Sequence, residues 1–161
     1  MGRDSMKWTG RIVAFALLAL VCQLGNDARA AGKRSDAVVK VAATASKIDA
    51  AGKQTVTVTL DVDKGWHIYA NPVLDDMLAS IQTVVSVDAK TAPKEVKVIY
   101  PAGKLHEKDG EKYSYYVGKV TIQVQVQRAA GDTSPLDATI RFSACDSSSC
   151  LFPATKKISL P

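Results

Sequence analysis

The 161-residue chain contains three cysteines, two histidines and no cluster of arginines, and each scarcity closes off a class of function. His67 and His106 stand in unrelated strand and loop contexts and belong to no paired ligand motif. A two-cysteine, two-histidine zinc site built from them with Cys145 and Cys150 is poorly supported, although the cysteine spacing is in range. No Ser-His-Asp order, glycine-rich phosphate loop or paired-carboxylate site stands out, which leaves hydrolase and nucleotide chemistry without a basis. The formal net charge is +5 and the pI about 9.1, but the basic residues are spread among acids and hydroxyls. Without a basic stripe, nucleic acid is not an expected partner. No cofactor is expected either. Beyond the N-terminus no apolar run approaches the ~20 residues of a membrane span, and there is no internal repeat.

What is present begins with a secretory pattern. Arg3, Lys7 and Arg11 face a single acid, Asp4; an apolar run follows from Ile12 to Leu24, then Ala28-Arg29-Ala30. A basic start, a short apolar stretch and a small-x-small site predict a signal peptide over residues 1–30. The protein is then periplasmic or otherwise extracytoplasmic; an uncleaved N-terminal anchor is the alternative. Lipidation at Cys22 is disfavoured because Val21 precedes it, where a small residue is needed. Cleavage would leave residues 31–161, a length suited to one domain. It would also remove Arg3, Lys7, Arg11, Arg29, Asp4 and Asp27, taking the net charge from +5 to +3. Cys145 and Cys150 would then be the only cysteines, in a compartment where disulfides persist.

The body of the chain reads as strands. Val56, Val58, Leu60 and Val62 alternate with Thr55, Thr57, Thr59, Asp61 and Asp63. Val120, Ile122, Val124 and Val126 alternate in the same way with Thr121, Gln123, Gln125 and Gln127. A period of two directs one face inward. Shorter runs of this kind cover Val38–Ala43, Gly65–Ala70, Ile81–Val87, Glu95–Tyr100, Ala138–Ala144 and Thr155–Leu160. Turn signals separate them, among them Asn71-Pro72, Asp109-Gly110 and Ser134-Pro135. Only Val73–Ala79 reads as a possible helical turn. Many short strands with regular punctuation predict an all-β fold, an immunoglobulin-like β-sandwich.

The cysteine pair lies in Ala144-Cys145-Asp146-Ser147-Ser148-Ser149-Cys150-Leu151-Phe152-Pro153, between two strand patterns. Joining the sulfurs closes a loop of six residues, for which the chain-entropy gain is about 2 kcal/mol. Each fully buried aliphatic side chain contributes about 1.5–3 kcal/mol, so a dozen inward residues outweigh the bond. A brace would join distant strands; this link ties the end of one strand to the start of the next. So short a loop is expected to be strained and accessible, the combination that exchanges readily. From the residues alone three readings stay open: a redox couple, a local structural clip, or a pair of metal ligands. Asp146 would disfavour a thiolate on Cys145, and no helix N-terminus is predicted nearby. The oxidised pair is thus better suited to be attacked by a partner's thiolate than to act as a free-standing nucleophile.

Four blocks now carry a resemblance. Gly65-Trp66-His67-Ile68-Tyr69-Ala70, Ile99-Tyr100-Pro101-Ala102-Gly103, Tyr116-Val117-Gly118-Lys119-Val120, and Phe142-Ser143-Ala144-Cys145 through Cys150-Leu151-Phe152-Pro153 occur in this order. Together they resemble the N-terminal periplasmic domain of the transmembrane thiol:disulfide reductase DsbD, over roughly Val38 to Leu160. The resemblance implies an immunoglobulin-like sandwich with Cys145 and Cys150 as the catalytic pair at one edge. Electrons would arrive from a thioredoxin-like domain and leave to periplasmic partners such as a disulfide isomerase or a cytochrome c maturation reductase. It also implies that Cys150 is first joined to partners, and that a cap loop shields the sulfurs. The matching segment is Leu105–Tyr113, which is longer than the family pattern; Tyr113, Tyr115 or Leu105 would supply the covering side chain. Tyr69 matches an active-site tyrosine, and Asp146 and Phe152 complete the surround. The cysteine loop is one residue shorter than in the best-known member.

The full reductase also needs a membrane-spanning conduit and a Cys-x-x-Cys domain, neither of which this sequence contains. The expectation is a stand-alone form of the domain, or one whose other parts are separate proteins. Two functions follow. One is periplasmic thiol:disulfide interchange through a reversible Cys145–Cys150 bond with thioredoxin-like partners. The other is a non-catalytic secreted interaction domain in which the bond is a clip.

Overall fold

The computed structural model describes residues 32–161; the expected signal peptide and Cys22 lie outside the described residues. In chain order the strands are β1 (Val39–Ala45), β2 (Lys53–Val62), β3 (His67–Tyr69), β4 (Val84–Ala89), β5 (Glu95–Ile99) and β6 (Lys104–Lys108). They continue with β7 (Glu111–Tyr116), β8 (Gly118–Gln127), β9 (Leu136–Phe142), β10 (Ala144–Cys145) and β11 (Ala154–Leu160). They form three antiparallel sheets, ordered β1-β2-β8-β5, β10-β3-β7-β6 and β11-β9-β4.

The alternation in the sequence sets the register. β2 and β8 pair from Lys53↔Gln127 to Val62↔Gly118, so Val56 meets Val124, Val58 meets Ile122 and Leu60 meets Val120 on one face. Those six side chains are buried, together with Val85 and Val87 of β4 and Leu136, Ala138, Ile140 and Phe142 of β9, in one core. The threonines and glutamines between them take the other face. One face buried and one polar is the rule for antiparallel sheets, and the result is an all-β, immunoglobulin-like sandwich.

The differences from the sequence reading lie where the chain leaves regular alternation. The run Ala138–Ala144 is two strands: β9 ends at Phe142, and after Ser143 the chain enters a different sheet as β10. The helical turn falls at Asp76–Ile81, a 3₁₀ segment whose preceding Asp75 carboxylate accepts from the Met77 N–H at 2.8 Å. Ile81 therefore ends a turn instead of starting a strand. The segment Leu105–Tyr113 is a regular hairpin of β6 and β7. Its two-residue turn, Asp109-Gly110, has φ of 54° and 86°, the left-handed pair that a tight hairpin requires.

Gly103 lets the chain pass from β5 to β6 across the sheet. A β-carbon there would lie 2.8 Å from Ala70 Cβ and 3.1 Å from Ser114 Cβ.

Candidate redox site

The sheet β10-β3-β7-β6 has two unlike faces. Ala144, Ile68 and Tyr116 are cross-strand neighbours and belong to the main core. The residues between them face the other way. Cys145 pairs with His67, Tyr69 with Tyr115, and Tyr113 with His106, and directly opposed residues share a face. The aromatic rings on this face touch in series. His67 meets Tyr69 and Tyr115 edge-on, each at 5.5 Å, Tyr69 meets Tyr113 at 5.6 Å, and His106 stacks on Tyr113 at 4.5 Å.

Cys145 and Cys150 form a disulfide at the edge of this face, with Cα atoms 4.0 Å apart. The two cysteines differ in access: Cys145 is 2% exposed, whereas Cys150 is at the surface. Cys145 packs outside the main core, in a small cluster with Tyr69 and Val73 flanked by Leu78, Ile81 and Tyr113. The segment after Tyr69 is pinned over this cluster. Thr83 donates from N–H and hydroxyl to the Tyr69 carbonyl at 3.0 and 2.7 Å, and the Ser114 N–H donates to the Val73 carbonyl at 2.7 Å.

The loop between the sulfurs is organised from within. Asp146 Oδ1 accepts from the backbone N–H of Ser148 and Ser149 at 2.7 and 2.8 Å and from the Ser148 hydroxyl at 2.9 Å. The Asp146 N–H donates to the Ser149 carbonyl, and the Leu151 N–H to the Ala144 carbonyl, both at 2.9 Å. A strap from the N-terminal side fastens the base of the loop. The fully buried Ser35 hydroxyl accepts from the Ala144 N–H at 2.8 Å and donates to the Phe152 carbonyl at 2.9 Å. Arg34 bridges to Phe152 in parallel, and Lys156 Nζ lies 2.7 Å from Asp36, which ties the strap to β11.

The electrostatics follow from these contacts. The N–H groups of Ser148 and Ser149 hold the Asp146 carboxyl below its ordinary range, because hydrogen bonds to the charged form favour it. Burial pushes the His67 imidazole down, with the charge of Asp146 opposing that effect and His106 adding to it. Burial likewise raises the phenols of Tyr69 and Tyr113, assisted by Glu111. Near neutral pH the site therefore holds an ionised Asp146, a neutral His67 and intact tyrosine hydroxyls.

Of the residues predicted from sequence, Tyr69 shares a buried cluster with Cys145, Tyr113 packs against that cluster through Tyr69, and Tyr115 lies against His67. Leu105 is not with them. It pairs with Ser114, on the opposite face of β6–β7 from Tyr113 and Tyr115, and is 52% exposed. Phe152 is 60% exposed beside Cys150, held by its backbone in the strap. Sequence reasoning missed His67, Ser35 and the cover from Val73, Leu78 and Ile81. The alternation of His67 and Tyr69 against Ile68 was visible, but their facing Cys145 depends on strand register. Among the described residues no three histidine, cysteine or acidic side chains converge as a metal site, and no helix is long and apolar enough to cross a membrane.

The fold and site together define an immunoglobulin-like domain with a half-exposed disulfide in an edge loop, set beside an aromatic face. The family model described as thiol:disulfide interchange protein DsbD, N-terminal, matches residues 35–161, and the chain belongs to that family. Among solved structures it is similar to the N-terminal periplasmic domain of ScsB from Proteus mirabilis, with 15% identity and a TM-score of 0.56, over 76% of this chain and 44% of that one. The chain thus spans less than half of that structure. It is also similar to the Neisseria meningitidis DsbD N-terminal domain in the reduced form, with 14% identity and a TM-score of 0.52, over 77% of this chain and 85% of that one. A third likeness is to the complex between the DsbD N-terminal and PilB N-terminal domains of the same organism, with 11% identity and a TM-score of 0.50, over 74% and 80%. At these identities the likeness is one of fold. No curated protein sequence matches the chain.

Proposed function

We propose that this protein carries out thiol:disulfide interchange outside the cytoplasm, its Cys145–Cys150 pair cycling between disulfide and dithiol with thioredoxin-like partners. The carrying observation is the asymmetry of the pair within a matched family: Cys150 is exposed and Cys145 is 2% exposed. Cys150 is the member of the pair open to a partner's thiolate. That thiolate would attack Cys150, form a mixed disulfide and release Cys145 as the leaving thiol; a second partner thiol then frees the reduced pair. In the reverse direction Cys150 attacks a partner's disulfide and Cys145 resolves it. The complex of a DsbD N-terminal domain with PilB supports a protein partner of this kind. Export by a signal peptide over residues 1–30, leaving one domain over 31–161, belongs to the same reading.

The buried Cys145 and the bonded loop would also suit a clip with no exchange. Trapping separates the two. A reduced Cys145→Ser variant is mixed with a thioredoxin-fold protein that lacks its resolving cysteine and whose remaining cysteine is activated as a mixed disulfide with 5-thio-2-nitrobenzoate. It is expected to accumulate as a single protein–protein mixed disulfide through Cys150, with thionitrobenzoate leaving. Cys150→Ser is expected to trap at least tenfold less. Absence of any mixed disulfide with either variant would leave only the clip.

A further inference from the structure

Cys145 is the inner sulfur, so in the dithiol it must lose its proton where water hardly reaches. Burial in apolar surroundings raises a thiol's pKa, and an unassisted Cys145 would be a poor resolving nucleophile. Asp146 cannot accept that proton, because its carboxylate is fixed by the loop N–H groups and held in its ionised form. Tyr69 offers a hydroxyl whose ordinary state is already protonated. His67 is different. It is the direct cross-strand partner of Cys145, and opposed residues have Cβ atoms about 4.5–5.5 Å apart on one face. Its ring is half-buried and oriented by edge contacts with Tyr69 and Tyr115.

We infer that His67 is the general base that deprotonates Cys145 when it resolves a mixed disulfide at Cys150. This rests on the interchange reading above. In the step, the Cys145 thiol gives its proton to the imidazole and its sulfur attacks Cys150 Sγ. The Cys145–Cys150 bond forms as the Cys150–partner bond breaks, and the partner's sulfur leaves with the electron pair. It then takes a proton from the imidazolium or from water. Over both steps the dithiol is oxidised by two electrons, and the partner's disulfide, the only oxidant, is reduced.

The groups facing His67 set its working range. Asp146 from the loop favours the imidazolium, whereas burial and His106 from β6 oppose it. Tyr69 and Tyr115 contribute ring contacts, and Asp63 and Lys64 line an open groove together with His67 and Tyr115. Burial is the largest of these effects, so His67 is neutral at pH 7 and available as a base.

The test uses the reduced protein and glutathione disulfide, so that no protein partner is involved. Attack by Cys150 gives the glutathione adduct; ring closure by Cys145 releases it, and rapid acid quench with mass spectrometry follows both. In the wild type, closure is expected to rise with pH through an inflection below 6.5 and then stay level to pH 8. In His67→Gln closure at pH 7 is expected to fall about 100-fold, the lower end of what a positioned base contributes, and the inflection to vanish. A fall of less than tenfold, or an inflection that survives, overturns the role of His67. Should His67→Gln not fold, the wild-type profile decides. Its inflection must coincide with the His67 titration seen by NMR, and a rate still rising tenfold per pH unit from 6.5 to 8 overturns the proposal. Failure of wild-type protein to form or close the adduct at all would instead remove the interchange reading.

Discussion

The connection from Arg128 to Pro135, leading into β9, and the connection from Asp146 to Pro153, beyond β10, are each organised by an aspartate that folds back on the turn it begins. Asp132 accepts from the Ser134 N–H at 3.1 Å, as Asp146 accepts from Ser148 and Ser149. In both, hydrogen bonds hold the carboxyl below its ordinary range. β9, Ser143 and β10 separate them. What differs is where the remaining polar groups point. At the first, the buried Arg128 guanidinium turns inward: it bonds Gln54 at 3.2 Å and the Ser134 carbonyl, and lies 3.0 Å from Asp132. At the second, the Asp146 carboxylate takes its hydrogen bonds from within its own loop, and Cys150 is exposed beside the loop serines. The same turn device can close a structure or present a reactive bond at its rim, and the lining decides which.

This contrast separates stability from chemistry, and substitutions can break it. Ile140→Ala, in the middle of β9, is expected to cost about 2–5 kcal/mol, measured by urea unfolding. The reduction potential of the pair should move by less than about 30 mV, a tenfold change in the exchange equilibrium. A larger shift would mean that core and rim are one unit. Next in size is Cys150→Ser, expected to cost only about 2 kcal/mol, as a six-residue loop predicts. A loss of twice that would make the bond a brace.

Ser35→Ala sharpens the role of the strap. It removes the acceptor for the Ala144 N–H and is expected to cost about 1–3 kcal/mol. Reduction by dithiothreitol should quicken several-fold as the base of the loop loosens. The smallest effect is in pH. The folded-state pKa of His67 lies below its unfolded value of 6.5, so the unfolded chain binds the proton first. Stability should therefore decline as pH falls from above 6.5 toward the folded pKa and then level off. Urea midpoints across this range should show that step in the wild type and lack it in His67→Gln. Below pH 4 a second decline is expected as Asp132 and Asp146 are protonated through their lowered pKa values.

The alternating valines of β2 and β8 made the sandwich legible, because burial of one face writes a period of two into the sequence. The family pattern made the sulfurs and Tyr69 legible. β6 and β7 were not read as strands, since Lys104, Glu107, Lys108, Glu111 and Lys112 are all exposed and leave no inward stripe. The change of sheet at Ser143 was equally hidden, because one continuous alternation, Ala138 to Ala144, serves two sheets. The facing of His67 to Cys145 was beyond reach for a related reason. It follows from how β10 pairs with β3, which no local pattern encodes. Ser35 lies more than a hundred residues from the loop it fastens, and a lone serine carries no signal of that.

If Cys145–Cys150 is an exchanging bond, its reduction potential shows it without any knowledge of partners. Equilibration of the purified protein against a glutathione or dithiothreitol buffer, read by thiol alkylation, should place it between about −120 and −270 mV, the span of proteins that exchange disulfides. A value below about −300 mV, where structural disulfides lie, would contradict the account and leave the pair as a clip in a sandwich.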